Sequence, residues 1–100
     1  MTADKTGAPT TISAEPNRFT IAVDGKTVGL ADYVDRDGRR IFTHTETADG
    51  FEGRGLATIL VAHAVAATRD AGLRIVPACS MVEQYVNKHS EYADLVDPAR

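Results

Sequence analysis

Between residues 40 and 76 the chain carries four signals in a fixed order: a strand-like run, a glycine-rich turn, a helix-like run and a second strand-like run. Arg40 to Thr47 is rich in β-branched and aromatic residues (Ile41, Phe42, Thr43, Thr45, Thr47), which suit a pleated, half-buried surface. Ala48-Asp49-Gly50 breaks that strand. From Leu56 to about Asp70, Leu56, Ala57, Leu60, Val61, Ala64 and Ala67 fall on one arc of a 3.6-residue wheel. Arg54, Thr58, Arg69 and Asp70 lie on the other side, and Gly72 is a helix stop. Leu73 to Val76 is a short apolar strand ended by Pro77. Strand, helix and strand in this order form a crossover, and such crossovers are right-handed in nearly all proteins. The chain is thereby committed to a sheet with a helix packed on it.

The flanking segments extend this unit. Phe19, Ile21 and Val23 alternate with Thr20 and Ala22, a half-buried strand. Asp24-Gly25 is a hairpin turn, and Thr27 to Val34 is the returning strand. Asp35-Arg36-Asp37-Gly38 turns the chain into the Arg40 strand, completing an antiparallel meander. Ser80-Met81-Val82-Glu83 matches a capping box, which predicts a second amphipathic helix through Tyr85 and Val86. Asn87 to Arg100 is polar, with Tyr92, Leu95 and Val96 as anchors. Residues 1–16 hold Pro9, Pro16 and small polar side chains and read as a flexible tail; residues 17–100 read as one domain. The expected class is α+β (mixed α/β), with element order β-β-β-α-β-α and a mixed, mainly antiparallel sheet.

Composition excludes several functions. Among 100 residues, 11 basic and 14 acidic side chains leave a net charge of −3, which argues against binding by phosphate neutralisation and hence against a nucleic-acid partner. One cysteine excludes an internal disulfide framework and a multi-thiolate zinc site. No run reaches the roughly 18 apolar residues of a membrane helix, and the N-terminus has no apolar signal core. The simplest expectation is a cytoplasmic protein without a metal or a membrane partner, monomeric or weakly dimeric.

Gly53-Arg54-Gly55 sits where a strand hands over to a helix. Glycines let successive amides converge there, and the helix N-terminus adds orphan N–H donors and a positive dipole end, a setting for an anion. A P-loop is excluded because no Gly-Lys pair occurs. A dinucleotide fingerprint fails at Thr58, and too little chain follows for the rest of that domain. A pyrophosphate loop of the form [QR]-x-x-G-x-[GA] fits at Gly55 and Ala57 and departs at Glu52. A glycine turn without a ligand accounts for the same letters.

Three segments carry a resemblance: I-F-T-H-T-E-T, F-E-G-R-G-L-A-T-I-L-V and I-V-P-A-C-S-M-V-E-Q-Y-V-N-K-H-S-E-Y. With the opening hairpin they span most of residues 18–92, and the chain resembles the short, single-domain branch of the GNAT acetyltransferase superfamily. The resemblance implies an acetyl-CoA-dependent N-acetyltransferase acting on an amine; a CoA-binding module without turnover is the alternative. It implies that the pantetheine arm pairs along the strand at Thr45 and Thr47. It implies that the amides of Gly53, Arg54, Gly55, Leu56, Ala57 and Thr58 receive the pyrophosphate. In this family a tyrosine on the last helix often protonates the departing thiolate, and Tyr85 falls near that position.

Single residues leave choices open. Cys79, beside a helix N-terminus, is a nucleophile, a lining of the acetyl pocket, or packing. His44 and Glu46 lie two apart on a strand and share a face, which points either to the cofactor groove, as base or relay, or to solvent. His63 and His89 read as structural or surface residues, His89 favouring a helix C-terminus. Arg36, Arg39 and Arg40 cluster on a hairpin, where a solvated turn explains them.

Overall fold

A computed structural model of the chain describes residues 9–51 and 55–97. The elements are β1 (Thr10–Glu15), β2 (Arg18–Val23), β3 (Lys26–Arg36), β4 (Arg39–Thr47), α1 (Leu56–Asp70), β5 (Arg74–Pro77) and α2 (Ser80–Lys88), followed by a 3₁₀ turn, Ser90–Leu95. The five strands form one sheet in sequence order. The first four are antiparallel, and β5 joins β4 in parallel through the crossover helix α1. The α+β class and mixed sheet are as expected.

The tail expectation is corrected. From Thr10 onward the supposed tail is a strand, paired with β2 from Thr10–Val23 to Glu15–Arg18. Thr10-Thr11-Ile12 is a β-branched run, and Pro9 and Pro16 stand just outside it, where a proline costs no ladder bond. An edge strand with one large aliphatic residue leaves a faint hydrophobic signal, so composition hides it. Asn17 turns the chain at φ 64°, a left-handed conformation that asparagine tolerates. The other hairpin turns use Asp24-Gly25 and Asp37-Gly38, all four residues at positive φ, the pattern that matches strand twist.

Phe19, Ile21 and Val23 from β2, Ala31 and Tyr33 from β3, and Phe42 from β4 face the helices. Against them α1 buries Leu56, Leu60, Val61, Ala64, Val65 and Thr68. The buried arc therefore runs through Val65 and Thr68, while Ala57 and Ala67 are only partly covered. Thr68 is admitted because its hydroxyl donates to the Ala64 carbonyl at 2.8 Å, which satisfies the buried oxygen. Val82 and Val86 of α2 and Tyr92 close the same core.

The capping expectation for α2 is also corrected. Cys79, not Ser80, is the N-cap of α2, at φ −105° and ψ 135°, and no side chain caps that end. The Glu83 amide donates to the Cys79 carbonyl at 3.0 Å, so the helix begins one residue before the box would place it. Glu83 still sits in the first turn, where its charge favours the dipole.

Candidate functional site

Two structural features meet at the C-terminal end of β4. The first is the end of the β4–β5 ladder. β5 pairs with β4 only from Arg39–Arg74 to Phe42–Pro77. Beyond Phe42, the β4 edge that faces away from β3 extends past that ladder. The second feature is the start of α1. Gly55 is its N-cap at φ 79° and ψ 9°, a left-handed conformation that only glycine adopts cheaply. Among the described residues no side chain caps that end, and no acidic residue lies in the first turn. The amides of Leu56, Ala57 and Thr58 are the donors that a helix start leaves over, at the positive end of the helix dipole. Gly53 and Arg54, expected in the same loop, lie outside the described residues.

A β-bulge decides which β4 side chains beyond that ladder face the helices. Asp32 pairs with His44 but Tyr33 pairs with Phe42, so Thr43 is an extra residue on β4. Strict alternation from buried Phe42 would turn His44 and Glu46 toward the helices. The extra residue reverses this. Thr45, opposite fully buried Ala31, and Thr47, opposite Gly29, take the helix side. His44 and Glu46 share the opposite, solvent face, as a shared face predicts, with side chains 56% and 62% exposed and 3.6 Å apart. Their neighbour across the strands is Asp32, itself paired with Arg18.

Cys79 reaches the same stretch of β4. Its half-buried thiol donates to Thr45 Oγ1 at 3.3 Å. Thr47 borders an open groove of about 350 Å³ with Gly29, Glu46 and Asp49. Ala57 is half-buried and Thr58 exposed on the first turn of α1, while the Leu56 side chain is buried, so Leu56 can offer only its amide.

Tyr85 is elsewhere. It lies six residues beyond Cys79, about 9 Å along the α2 axis at 1.5 Å per residue. It lines a recess with Thr58 and Val61 of α1. Burial, and to a lesser extent Tyr92 and Glu91, push its hydroxyl above the ordinary tyrosine value, so it stays protonated at neutral pH. The structure thus joins Cys79 with Thr45 and joins Tyr85 with Thr58; it joins neither pair to His44 or Glu46. Sequence reasoning missed the stack of Tyr85 on His89, with centroids 3.9 Å apart and planes at 15°. Their four-residue spacing on one helix was the available signal. His63 stands edge-on to Phe19 at 5.8 Å, a packing role. Arg40 belongs to the core margin, bonded to Asp35 and lying 4.2 Å from the Tyr33 ring centroid, and Arg39 approaches Asp97 at 3.8 Å.

The comparisons with known proteins give the family of this arrangement. The family model for GCN5-related N-acetyltransferases matches residues 18–95. The chain belongs to that family and is a transferase of that class. No curated protein matches it. Among solved structures, a Staphylococcus aureus protein described as a GCN5-like N-acetyltransferase, determined by NMR, is similar with a TM-score of 0.69 and 24% identity over 90% of both chains. A GCN5-related N-acetyltransferase from Kribbella flavida has a TM-score of 0.55 and 20% identity over 70% of this chain, which corresponds to 21% of that one. Both likenesses concern the fold. The residues present fit the co-substrate this family generally uses: backbone donors at a helix start for a pyrophosphate, and a strand edge for an amide-bearing arm.

Proposed function

We propose that this protein transfers an acetyl group from acetyl-CoA to an amine. The observation that supports the reading is the stretch of β4 beyond its ladder with β5, together with the Gly55 start of α1. In that reading the first-turn amides of Leu56, Ala57 and Thr58, with the Gly53–Gly55 loop, take the pyrophosphate. The pantetheine arm runs along the Thr45–Thr47 segment. The acyl end then reaches the end of the β4–β5 ladder, where the Cys79 thiol and Thr45 hydroxyl meet.

Such a transfer forms a C–N bond at the amine and breaks the thioester C–S bond, with a base removing the amine proton and a proton returning to sulfur. Cys79 and Thr45 line the place where this happens and shape it. The position of Tyr85, about 9 Å along α2 from Cys79, supports a contact with the far end of the cofactor rather than proton donation to the sulfur. The exposed face of His44 and Glu46 supports no contact with the acyl group.

Isothermal titration with acetyl-CoA tests the reading. Saturable binding is expected, and no heat of binding at millimolar concentration would overturn it. Acetyl release across a panel of small amines and peptide amines is the second arm. Binding without release would reassign the chain as a CoA-binding module.

A further inference from the structure

We propose that β1 is a self-pairing edge: two copies of this chain join antiparallel along Thr10–Glu15, on a two-fold axis at Ser13, and fuse their five-stranded sheets into one. The inference is independent of the transferase reading, since β1 stands at the edge of the sheet away from β4 and β5.

The two edges of the sheet differ. The β5 edge is four residues long and ends at Pro77, and the chain covers it itself: Val96 bridges Ile75, and the Asp97 amide donates to the Ile75 carbonyl at 2.8 Å. The β1 edge has no such cover among the described residues. Sheet edges are ordinarily guarded by charge, proline or a bulge. Thr10 to Ala14 carries no charge and no proline, and its register with β2 is unbroken. Pro9 and Pro16 stand just outside and limit the length over which a further strand can pair.

The register shows which groups point outward. The Asp24 amide donates to the Pro9 carbonyl, so Pro9 and Asp24 form a hydrogen-bonded pair. Alternation then makes Thr11–Ala22, Ser13–Thr20 and Glu15–Arg18 the other bonded pairs. Ile12 and Ala14, between them, turn their N–H and C=O groups away from β2. Centred on Ser13, an antiparallel second copy sets Ile12 opposite its Ala14 and Ala14 opposite its Ile12, and each of these pairs exchanges both main-chain bonds. Ser13 meets Ser13 of the second copy in a non-bonded pair, where Cα atoms approach to about 4.5 Å and a small side chain fits. Thr11 faces Glu15 of the second copy, so no like charges stand directly opposite.

The side chains favour a second copy as the occupant. Ile12 and Ala14 share the helix side of the sheet with Ile21 and Phe19, so the large residue of one copy packs on the small residue of the other. Ile12 is half-buried, and with Ile59, Ala62 and His63 of α1 it lines part of an open recess of about 440 Å³. A strand laid along β1 shields that apolar lining. Because the β5 edge is already covered, the pairing closes at two copies and does not grow into a fibre. A single strand pair is smaller than a standard interface, so the dimer dissociates between about 10 μM and 1 mM.

Sedimentation velocity across that range tests the proposal. The mass is expected to rise from 10.7 kDa toward twice that value. Ala14→Pro removes an outward donor and leaves the bonds of Thr11, Ser13 and Glu15 to β2 in place, so it should abolish the rise. Ser13→Lys and Ser13→Glu each set like charges on the axis and should weaken association roughly two- to five-fold, whereas an equimolar mixture of the two should associate more tightly than either alone. Far-UV circular dichroism checks that each variant is folded. A wild type that stays at 10.7 kDa throughout, a rise that survives Ala14→Pro, or a mixture no tighter than either variant overturns the proposal.

Discussion

The Cys79 thiol donates to Thr45 Oγ1 across 3.3 Å, and this contact joins the N-cap of α2 to β4 just beyond the point where β5 has left it. Thirty-four residues separate the two in sequence. A bulge at Thr43 and the termination of β5 at Pro77 bring them together. In the proposed function this pair marks the acyl end of the cofactor channel.

That placement predicts protection. Cys79 is the one cysteine of the chain, so iodoacetamide adducts read it without ambiguity. Saturating acetyl-CoA is expected to slow its alkylation at least roughly five-fold, as a ligand occupying the site at several times its Kd would. An unchanged rate at saturation would move the acyl group away from Cys79. Intact mass after acetyl-CoA alone is expected to stay that of the free protein; an acetyl adduct absent from Cys79→Ala would make the thiol a covalent carrier.

Gly29 predicts a cost of backbone crowding. A Cβ there would stand 2.9 Å from Ile21 Cγ2 and 3.2 Å from the Glu46 carbonyl. The carbonyl belongs to β4 and cannot swing aside as a side chain would. Gly29→Ala is expected to destabilise by about 1–3 kcal/mol, the usual range for overpacking. Chemical denaturation measures it, and a loss below about 0.5 kcal/mol would show that the strands separate freely at this position.

His44 and Glu46 predict the opposite. Both side chains are more than half exposed and their 3.6 Å pairing is on the surface. Exposed pairs contribute little, so His44→Ala/Glu46→Ala is expected to change stability by less than ~1 kcal/mol. Acetyl-CoA affinity should remain that of wild type. A ten-fold weaker Kd in the double variant would place this face at the cofactor after all.

Tyr85 predicts an alkaline slope. Its folded pKa is raised, chiefly by burial, so the native state holds the phenolic proton more tightly than the unfolded chain does. That contribution is fully present below the unfolded value near 10 and is lost as pH rises through the folded value. Thermal melts between about pH 9 and 11.5 should show Tm falling, and Tyr85→Phe should flatten part of the fall. An identical slope in the variant would show that Tyr85 titrates as it does in the unfolded chain.

Much of the architecture was legible because it rests on local chemistry. The Asp24-Gly25 and Asp37-Gly38 turns follow from residues that accept positive φ. The α1 boundaries, Leu56 to Asp70, follow from apolar period, and Gly72 at φ 75° ends the helical turn. β1 was illegible because an edge strand needs few large apolar residues, so Thr10–Glu15 looks like a polar tail. The cap of α2 was misplaced because a capping box is a pattern of letters, whereas the helix starts where the chain leaves β5.

The sequence by itself determined the order of elements from β2 to α2, the glycine that must turn into α1 and the family these segments belong to, since each depends on neighbours along the chain. Only the tertiary structure decided which side chains meet. One extra residue at Thr43 inverts the faces of β4, and no periodic reading detects a bulge, because it exists only relative to the register of β3. That inversion turns Thr45 toward Cys79 and His44 toward water. The Tyr85–His89 surface likewise became a groove only when α2 packed beside Thr58 of α1.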